Sequence, residues 1–187
     1  MRLFLAVELG TATLDALEQA IAPLRAEAPD IAWVRPEKRH LTLKFLGHVD
    51  ETRVDAVTEL TERVARDHRP FSMQLAGIGA FPNFRRARVV WIGVEHEARL
   101  ELLHHDFEVA AETVGFELEG RAFRPHISLS RVRSPVERDH AKRFARVARR
   151  IDFSTTTYVS EITLFESIPA PSGAHYRRLL VASLGGR

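Results

Sequence analysis

Two tetrapeptides constrain this chain more than any other feature: His40-Leu41-Thr42-Leu43 and His126-Ile127-Ser128-Leu129, set 86 residues apart. In each, a histidine stands two residues before a hydroxyl side chain, with aliphatic residues at the alternate positions. Residues i and i+2 of a β-strand share a face. Each tetrapeptide therefore predicts a strand that turns an imidazole and a hydroxyl to one side and two aliphatic side chains to the core. Each also follows a proline-bearing turn, at Pro36 and at Pro125.

The segments around them repeat one order. A strand over 2–8 leads into a helix that Thr11 or Thr13 caps and that runs to 27, with Leu14, Leu17, Ile21 and Leu24 on one stripe. Pro29 and Asp30 stop it, and 31–34 is a short extended piece. The first histidine strand covers 40–45. Gly47 and Asp50 end it and open a helix over 51–66, followed by a strand over 71–78 and a loop over 81–86. The second half then runs strand 88–94, helix 98–114 ended by Gly115, extended 116–118 and histidine strand 126–131. Ser134 and Pro135 open a further helix to 150. A strand over 158–165, a Pro/Gly loop over 167–173 and a strand over 176–184 complete the order.

A shift of 86 residues lays Leu3 on Val89, Leu14 on Leu100, Leu17 on Leu103 and Arg63 on Arg149. The order implies an internal duplication of two α+β lobes, each needing the other to complete its sheet and cleft. No linker-like or low-complexity stretch divides them, so 1–187 is expected to be a single domain of two interlocked lobes.

At 187 residues, with 45% hydrophobic and 28% charged side chains, the chain is long enough and ordinary enough to bury a core. It has no cysteine, which excludes disulfides, thiolate zinc sites and cysteine nucleophiles and suits a reducing cytoplasm. The apolar run at 3–7 is short and broken by Glu8, a first strand and not a signal peptide. No apolar stretch approaches the length of a bilayer span. The formal charge is +2 and the sequence pI about 9.4, an excess carried by arginine. Arginine pairs bidentately with phosphate, so the balance leans toward phosphorylated or nucleic-acid partners.

Imidazole titrates near neutral pH, so two histidines facing one cleft divide the work of proton transfer. One, neutral, takes a proton from a nucleophile; the other, protonated, gives one to a leaving group. The hydroxyls of Thr42 and Ser128 donate to oxygens where negative charge builds. No carboxylate cluster accompanies the motifs, and two histidines alone make a poor zinc site, so no metal or other cofactor is expected. Positive charge for a phosphate has several candidate sources. Lys44 is four residues beyond His40 and shares its face on a regular strand. Arg131 is five beyond His126 and needs a bulge or strand end to reach the cleft. Arg85, Arg86 and Arg88 follow two phenylalanines in a loop, a pairing suited to nucleotides. His175 precedes the last strand and borders a cleft or the surface. His104 and His105 lie on a helix, and His48, His68, His96 and His140 near ends or exposed faces.

The segments His40-Leu41-Thr42-Leu43-Lys44-Phe45-Leu46-Gly47 and Arg124-Pro125-His126-Ile127-Ser128-Leu129-Ser130-Arg131 resemble the paired signatures of the two-histidine (2H) phosphoesterase superfamily. Within it the chain is similar to the bacterial and archaeal RNA 2′,3′-cyclic phosphodiesterases, also called 2′-5′ RNA ligases. Residues 2–7, Gly79-Ala80-Phe81-Pro82 with Val89-Val90-Trp91, and Leu164-Phe165-Glu166-Ser167 with Gly173 and Tyr176 share the likeness. The resemblance implies a bilobal fold with a pseudo-twofold axis, antiparallel sheets lining a central cleft and helices outside. It implies that His40 and His126 are acid and base, and that Thr42, Ser128 and Arg131 bind phosphate. The chain departs in having Ser128 where threonine is common, which keeps the donor.

The expected reaction is metal-free hydrolysis of an RNA 2′,3′-cyclic phosphate end, tRNA fragments included, to a 2′-phosphomonoester. His126 deprotonates the water, His40 protonates the departing 3′ oxygen, and weak 2′-5′ ligation is the reverse. A cytoplasmic monomer with no membrane partner is expected. The competing classes are a non-catalytic RNA-end or nucleotide-binding protein, a 2H enzyme for a small cyclic nucleotide, ADP-ribose cyclic phosphate or 2′-5′ oligonucleotide, and a metal-dependent hydrolase.

Overall fold

Leu3, Leu5 and Val7 point into the main core from strand β1 (Arg2–Glu8), and Phe4, Ala6 and Glu8 point the other way. The computed structural model describes residues 1–132, 137–171 and 173–185, and the rest of the fold follows from this two-sidedness. Helix α1 (Thr11–Glu27) comes next, with Leu17, Ile21 and Leu24 fully buried. Strands β2 (Ala32–Trp33) and β3 (His40–His48) follow, then helix α2 (Val54–Asp67), strand β4 (Phe71–Phe81) and strand β5 (Val89–Val94). The remaining elements are helix α3 (Ala98–Thr113), strand β6 (His126–Arg131), helix α4 (Arg138–Arg150) and strands β7 (Ser154–Val159), β8 (Glu161–Ile168) and β9 (His175–Ser183). Among the described residues no helix is long and apolar enough to cross a membrane.

Every strand pairing is antiparallel, and the order is β7-β4-β5-β6-β3-β1-β8-β9, with β2 on β6. Among the described residues β3 and β6 meet at one pair, Leu41 with Ile127. About that pair the strands match two by two: β3 with β6, β1 with β5, β8 with β4, β9 with β7. The halves also exchange strands. β4 follows the helix of the first half yet pairs with β5, and β8 follows α4 yet pairs with β1. The helices pack in pairs, α1 with α4 and α2 with α3, against the sheet face that carries Leu41 and Ile127. The opposite face is left for the histidines.

The structure departs from the expected order in several places. Gly10 precedes α1, and neither Thr11 nor Thr13 caps it. Helix α2 begins at Val54, after a 3₁₀ turn over Glu51–Arg53, and β4 runs on to Phe81. The strand expected over 158–165 is two strands, β7 and β8, divided at Ser160. Strand β7 is an edge rich in threonine, so its apolar alternation is faint. Strand β3 continues through Gly47, whose φ of 69° suits glycine, to His48. Residues 116–118 form no strand. The shift between first strands is 85 residues and not 86: Phe4 pairs with Phe45 as Val89 pairs with Arg131. The connection from β5 to α3 is one residue longer than that from β1 to α1. The expected cap at Ser134 and Pro135 lies outside the described residues; the residue before α4 is Glu137.

Candidate active site

The single Leu41–Ile127 pair assembles the site. Both side chains are fully buried, so their neighbours His40, Thr42, His126 and Ser128 all project from the other face. Directly opposed residues of an antiparallel pair lie about 4.5–5.5 Å apart and diagonal ones about 7–8 Å. The two histidines are a diagonal pair, a spacing that one phosphate group bridges.

Each ring is oriented by its own strand entry. His40 Nδ1 lies 2.9 Å from the Lys38 carbonyl oxygen, and His126 Nδ1 lies 2.7 Å from that of Arg124. A carbonyl only accepts, so Nδ1 carries the proton in both rings. Among the described residues each Nε2 has no hydrogen-bond partner, so it can accept when the ring is neutral and donate when it is protonated.

The surroundings differ. His40 sits among Phe4 (centroids 4.9 Å apart), Phe165 (6.0 Å) and Tyr176 (5.2 Å, edge-on). Burial pushes its pKa down to about 4, against the opposing effects of the Lys38 carbonyl and Glu8; Arg131 and His126 lower it further. Glu8 accepts from Arg178 Nε at 2.9 Å and from the Thr163 hydroxyl at 2.8 Å. Beside His40 opens a cavity of about 440 Å³ whose lining includes Arg35, Lys38, His175, Tyr176 and Arg178. His126 is flanked by Phe81 (4.9 Å, edge-on) and Trp91 (6.3 Å). The Trp91 indole lies across Gly79, where a Cβ would come within 2.2 Å of the ring, so only glycine leaves room for it.

Two equivalent β-bulges decide which cations reach this face. In β3, Ala6 pairs with Thr42 and Leu5 with Lys44, so Leu43 is the extra residue. In β6, Trp91 pairs with Ser128 and Val90 with Ser130, so Leu129 is the extra residue. A bulge reverses the alternation beyond it. Arg131 thereby joins the face of His126, at an odd offset, and is exposed. Lys44 is turned away from His40, contrary to the spacing. Its Nζ lies buried, 2.8 Å from Glu108 Oε2, and donates to the Glu117 carbonyl at 3.0 Å. Phe45 takes the cleft-facing position instead, 64% exposed and 5.9 Å from Phe4.

Of the other candidates, His175 lines the cavity beside His40. Arg85, Arg86 and Arg88 are exposed at the β4–β5 turn, and Phe81 lies against His126. His68 is buried and pairs with Asp106 at 2.9 Å, so it is not a surface group. His104 stacks on Phe123 at 3.9 Å, away from the site. The aromatic box of Phe4, Phe165 and Tyr176 and the carboxylate of Glu8 were not legible as site residues. Their alternation with Leu3, Leu5 and Val7 was the available signal, but only the β8–β1–β3 pairing brings them to His40. Among the described residues no three His, Asp or Glu side chains gather as a metal-ligand set.

The model of the family described as LigT-like phosphoesterase matches residues 7–91. An RNA 2′,3′-cyclic phosphodiesterase of Methanothermobacter thermautotrophicus is 31% identical, over 98% of this chain and 99% of its own. A crystal structure of a Thermus thermophilus protein superposes with a TM-score of 0.80 at 31% identity, covering 100% of this chain and 99% of the other. Escherichia coli LigT complexed with 3′-AMP superposes with a TM-score of 0.73 at 28% identity, over 98% and 97%. The duplicated antiparallel fold with a histidine strand in each half defines a two-histidine phosphoesterase. The chain belongs to the LigT-like phosphoesterase family, and it is an enzyme.

Proposed function

We propose that the protein hydrolyses RNA 2′,3′-cyclic phosphate ends to 2′-phosphomonoesters by acid–base catalysis between His40 and His126, without a metal. The observation that carries the reading is the matched anchoring of the two Nδ1 atoms on Lys38 and Arg124, which turns both Nε2 atoms to one face with Thr42, Ser128 and Arg131. The relatives named as RNA 2′,3′-cyclic phosphodiesterases support the substrate.

In this reading the phosphate sits over Leu41 and Ile127. Thr42, Ser128 and Arg131 hold its non-bridging oxygens, where charge accumulates as phosphorus becomes five-coordinate. The cavity beside His40 takes the nucleoside, which places the ribose oxygens at His40 and the attacking water at His126. Water oxygen bonds to phosphorus while its proton passes to His126 Nε2. The bond from phosphorus to O3′ breaks, and His40 Nε2–H protonates O3′. His40 is neutral in the free site at pH 7 and gains its proton as the anionic phosphate arrives. Exchange with solvent resets the pair. Attack by a 5′-hydroxyl on the same phosphorus gives the weak 2′-5′ ligation.

The test is to incubate the protein, with a chelator present, with an oligoribonucleotide ending in a 2′,3′-cyclic phosphate. The expected product is the 2′-monoester. A 3′-monoester, or no turnover until metal is restored, overturns the reading.

A further inference from the structure

Six of the 13 residues of α4 are basic: Arg138, Lys142, Arg143, Arg146, Arg149 and Arg150, and all six are exposed. At about 3.6 residues per turn they share one side of the helix, opposite the buried Ala141, Phe144, Ala145 and Ala148. Arg138, Lys142, Arg146 and Arg150 step along the axis about every 6 Å, a row about 18 Å long. Lys142 pairs with Asp139 at 2.8 Å and Arg143 with Glu27 at 3.0 Å. Among the described residues Arg138, Arg146, Arg149 and Arg150 have no partner. Arg149 and Arg150 complement the carboxyl end of the helix dipole, which leaves the rest of the row unexplained.

The row connects to the site. Phe144 of α4 packs against Phe84, centroids 6.1 Å apart, which sets the exposed Arg85 and Arg86 beside the helix. The Arg88 carbonyl accepts from Val132 N–H at 2.9 Å, and the next residue, Val89, pairs with Arg131. Exposed arginines thus run from Arg131 through Arg88, Arg85 and Arg86 to α4.

We propose that this track binds the phosphate backbone of the RNA whose end occupies the site, which makes polynucleotide ends better substrates than mononucleotides. The proposal rests on the cyclic phosphodiesterase reading above. The chemistry favours RNA over an anionic membrane. Lysine is nearly absent from the chain, and arginine forks fit phosphate oxygens bidentately. A membrane-binding helix needs a free apolar face, and that of α4 is already buried against the fold.

The experiment compares the wild-type protein with the triple variant R138Q/R146Q/R149Q. Three quantities are measured: turnover of a 2′,3′-cyclic mononucleotide, kcat/KM on a cyclic-phosphate oligoribonucleotide, and binding of a 3′-hydroxyl oligoribonucleotide across a salt series. Each phosphate contact on a single strand contributes about 0.7 to the slope of log affinity against log salt, so the variant's slope is expected to be shallower by about 2. Oligonucleotide kcat/KM falls in step while mononucleotide turnover is unchanged. Unaltered RNA binding and salt slope overturn the proposal, as does an equal loss on both substrates. Tighter binding to phosphatidylserine vesicles than to RNA also overturns it. If the wild type turns over neither substrate yet the variant loses RNA affinity, the track stands and the catalytic reading fails.

Discussion

Phe45 and Arg131 hold equivalent places in the two halves, each five residues after its histidine and each carried to the cleft face by a bulge, at Leu43 and at Leu129. The backbone device is the same on both sides; the side chain it delivers is not. One half presents an exposed aromatic ring and the other a guanidinium, so a symmetric scaffold delivers unlike side chains at matched positions of the site. Replacing Arg131 with glutamine keeps hydrogen-bonding capacity and removes the charge. A hydrogen bond to a charged group is worth about 1.5–3 kcal/mol, so kcat/KM is expected to fall roughly ten- to a hundredfold. Arg131 is exposed, so the melting temperature stays unchanged. Steady-state kinetics with a thermal melt checks both.

Lys44 supports the fold, not the phosphate. Glu108 Oε2 takes Lys44 Nζ at 2.8 Å and the Glu119 N–H at 2.8 Å, so one carboxylate ties β3 to the segment after α3. Lys44→Met leaves that carboxylate buried without its cation and is expected to cost about 3–5 kcal/mol. The double variant K44M/E108L removes both charges and regains most of the loss. Denaturant unfolding of the two variants decides it. A stable K44M protein with weakened phosphate binding would show instead that Lys44 serves the cleft.

His40 links stability to acidity. Its pKa is about 4 in the folded chain and about 6.5 when unfolded. Between those values the unfolded state binds more protons, so stability rises with pH across the window, is complete above about 6.5, and is lost as pH falls toward 4. The full span is on the order of 3 kcal/mol. His40→Asn, which has no titrating ring, flattens the stability curve between pH 4 and 6.5. Urea unfolding at a series of pH values measures it; an unchanged slope in the variant places the titration elsewhere.

The sequence carried the parts of the site that obey strand alternation. The bounds of β6 and the quartet His40, Thr42, His126 and Ser128 follow from period-two patterning around two apolar pairs, while those of β1 follow from a short continuous apolar run between Arg2 and Glu8. Alternation fails where one residue is inserted, and nothing in Leu43 or Leu129 announces a bulge. That is why Lys44 and the odd-offset Arg131 could not be placed by spacing. The aromatic wall around His40 was hidden for another reason. Phe165 and Tyr176 come from β8 and β9, whose sheet partner is fixed by strand exchange between halves and not by local pattern. Strand β7 escaped because the face it buries carries Thr155 and Thr157 before Val159, which leaves no apolar alternation to read.

The division of labour between the histidines has its own test. If His40 is the acid, its only covalent task is to neutralise the oxygen that leaves phosphorus. A substrate with sulfur at the bridging 3′ position leaves as a thiolate, a far weaker base than an alkoxide, so its departure needs no proton from the protein. His40→Ala is therefore expected to lose most turnover, of order 10²–10⁴, on the oxygen substrate and to recover much of it on the sulfur substrate. His126→Ala loses the base that activates water, a need that sulfur does not relieve, so it stays slow on both. The reverse pattern, rescue of His126→Ala alone, would assign the acid role to His126 and turn the nucleoside to the other side of the cleft. The comparison holds across the fall in stability at low pH if all four rates are taken above pH 6.5, where the folded protein keeps His40 neutral until phosphate arrives.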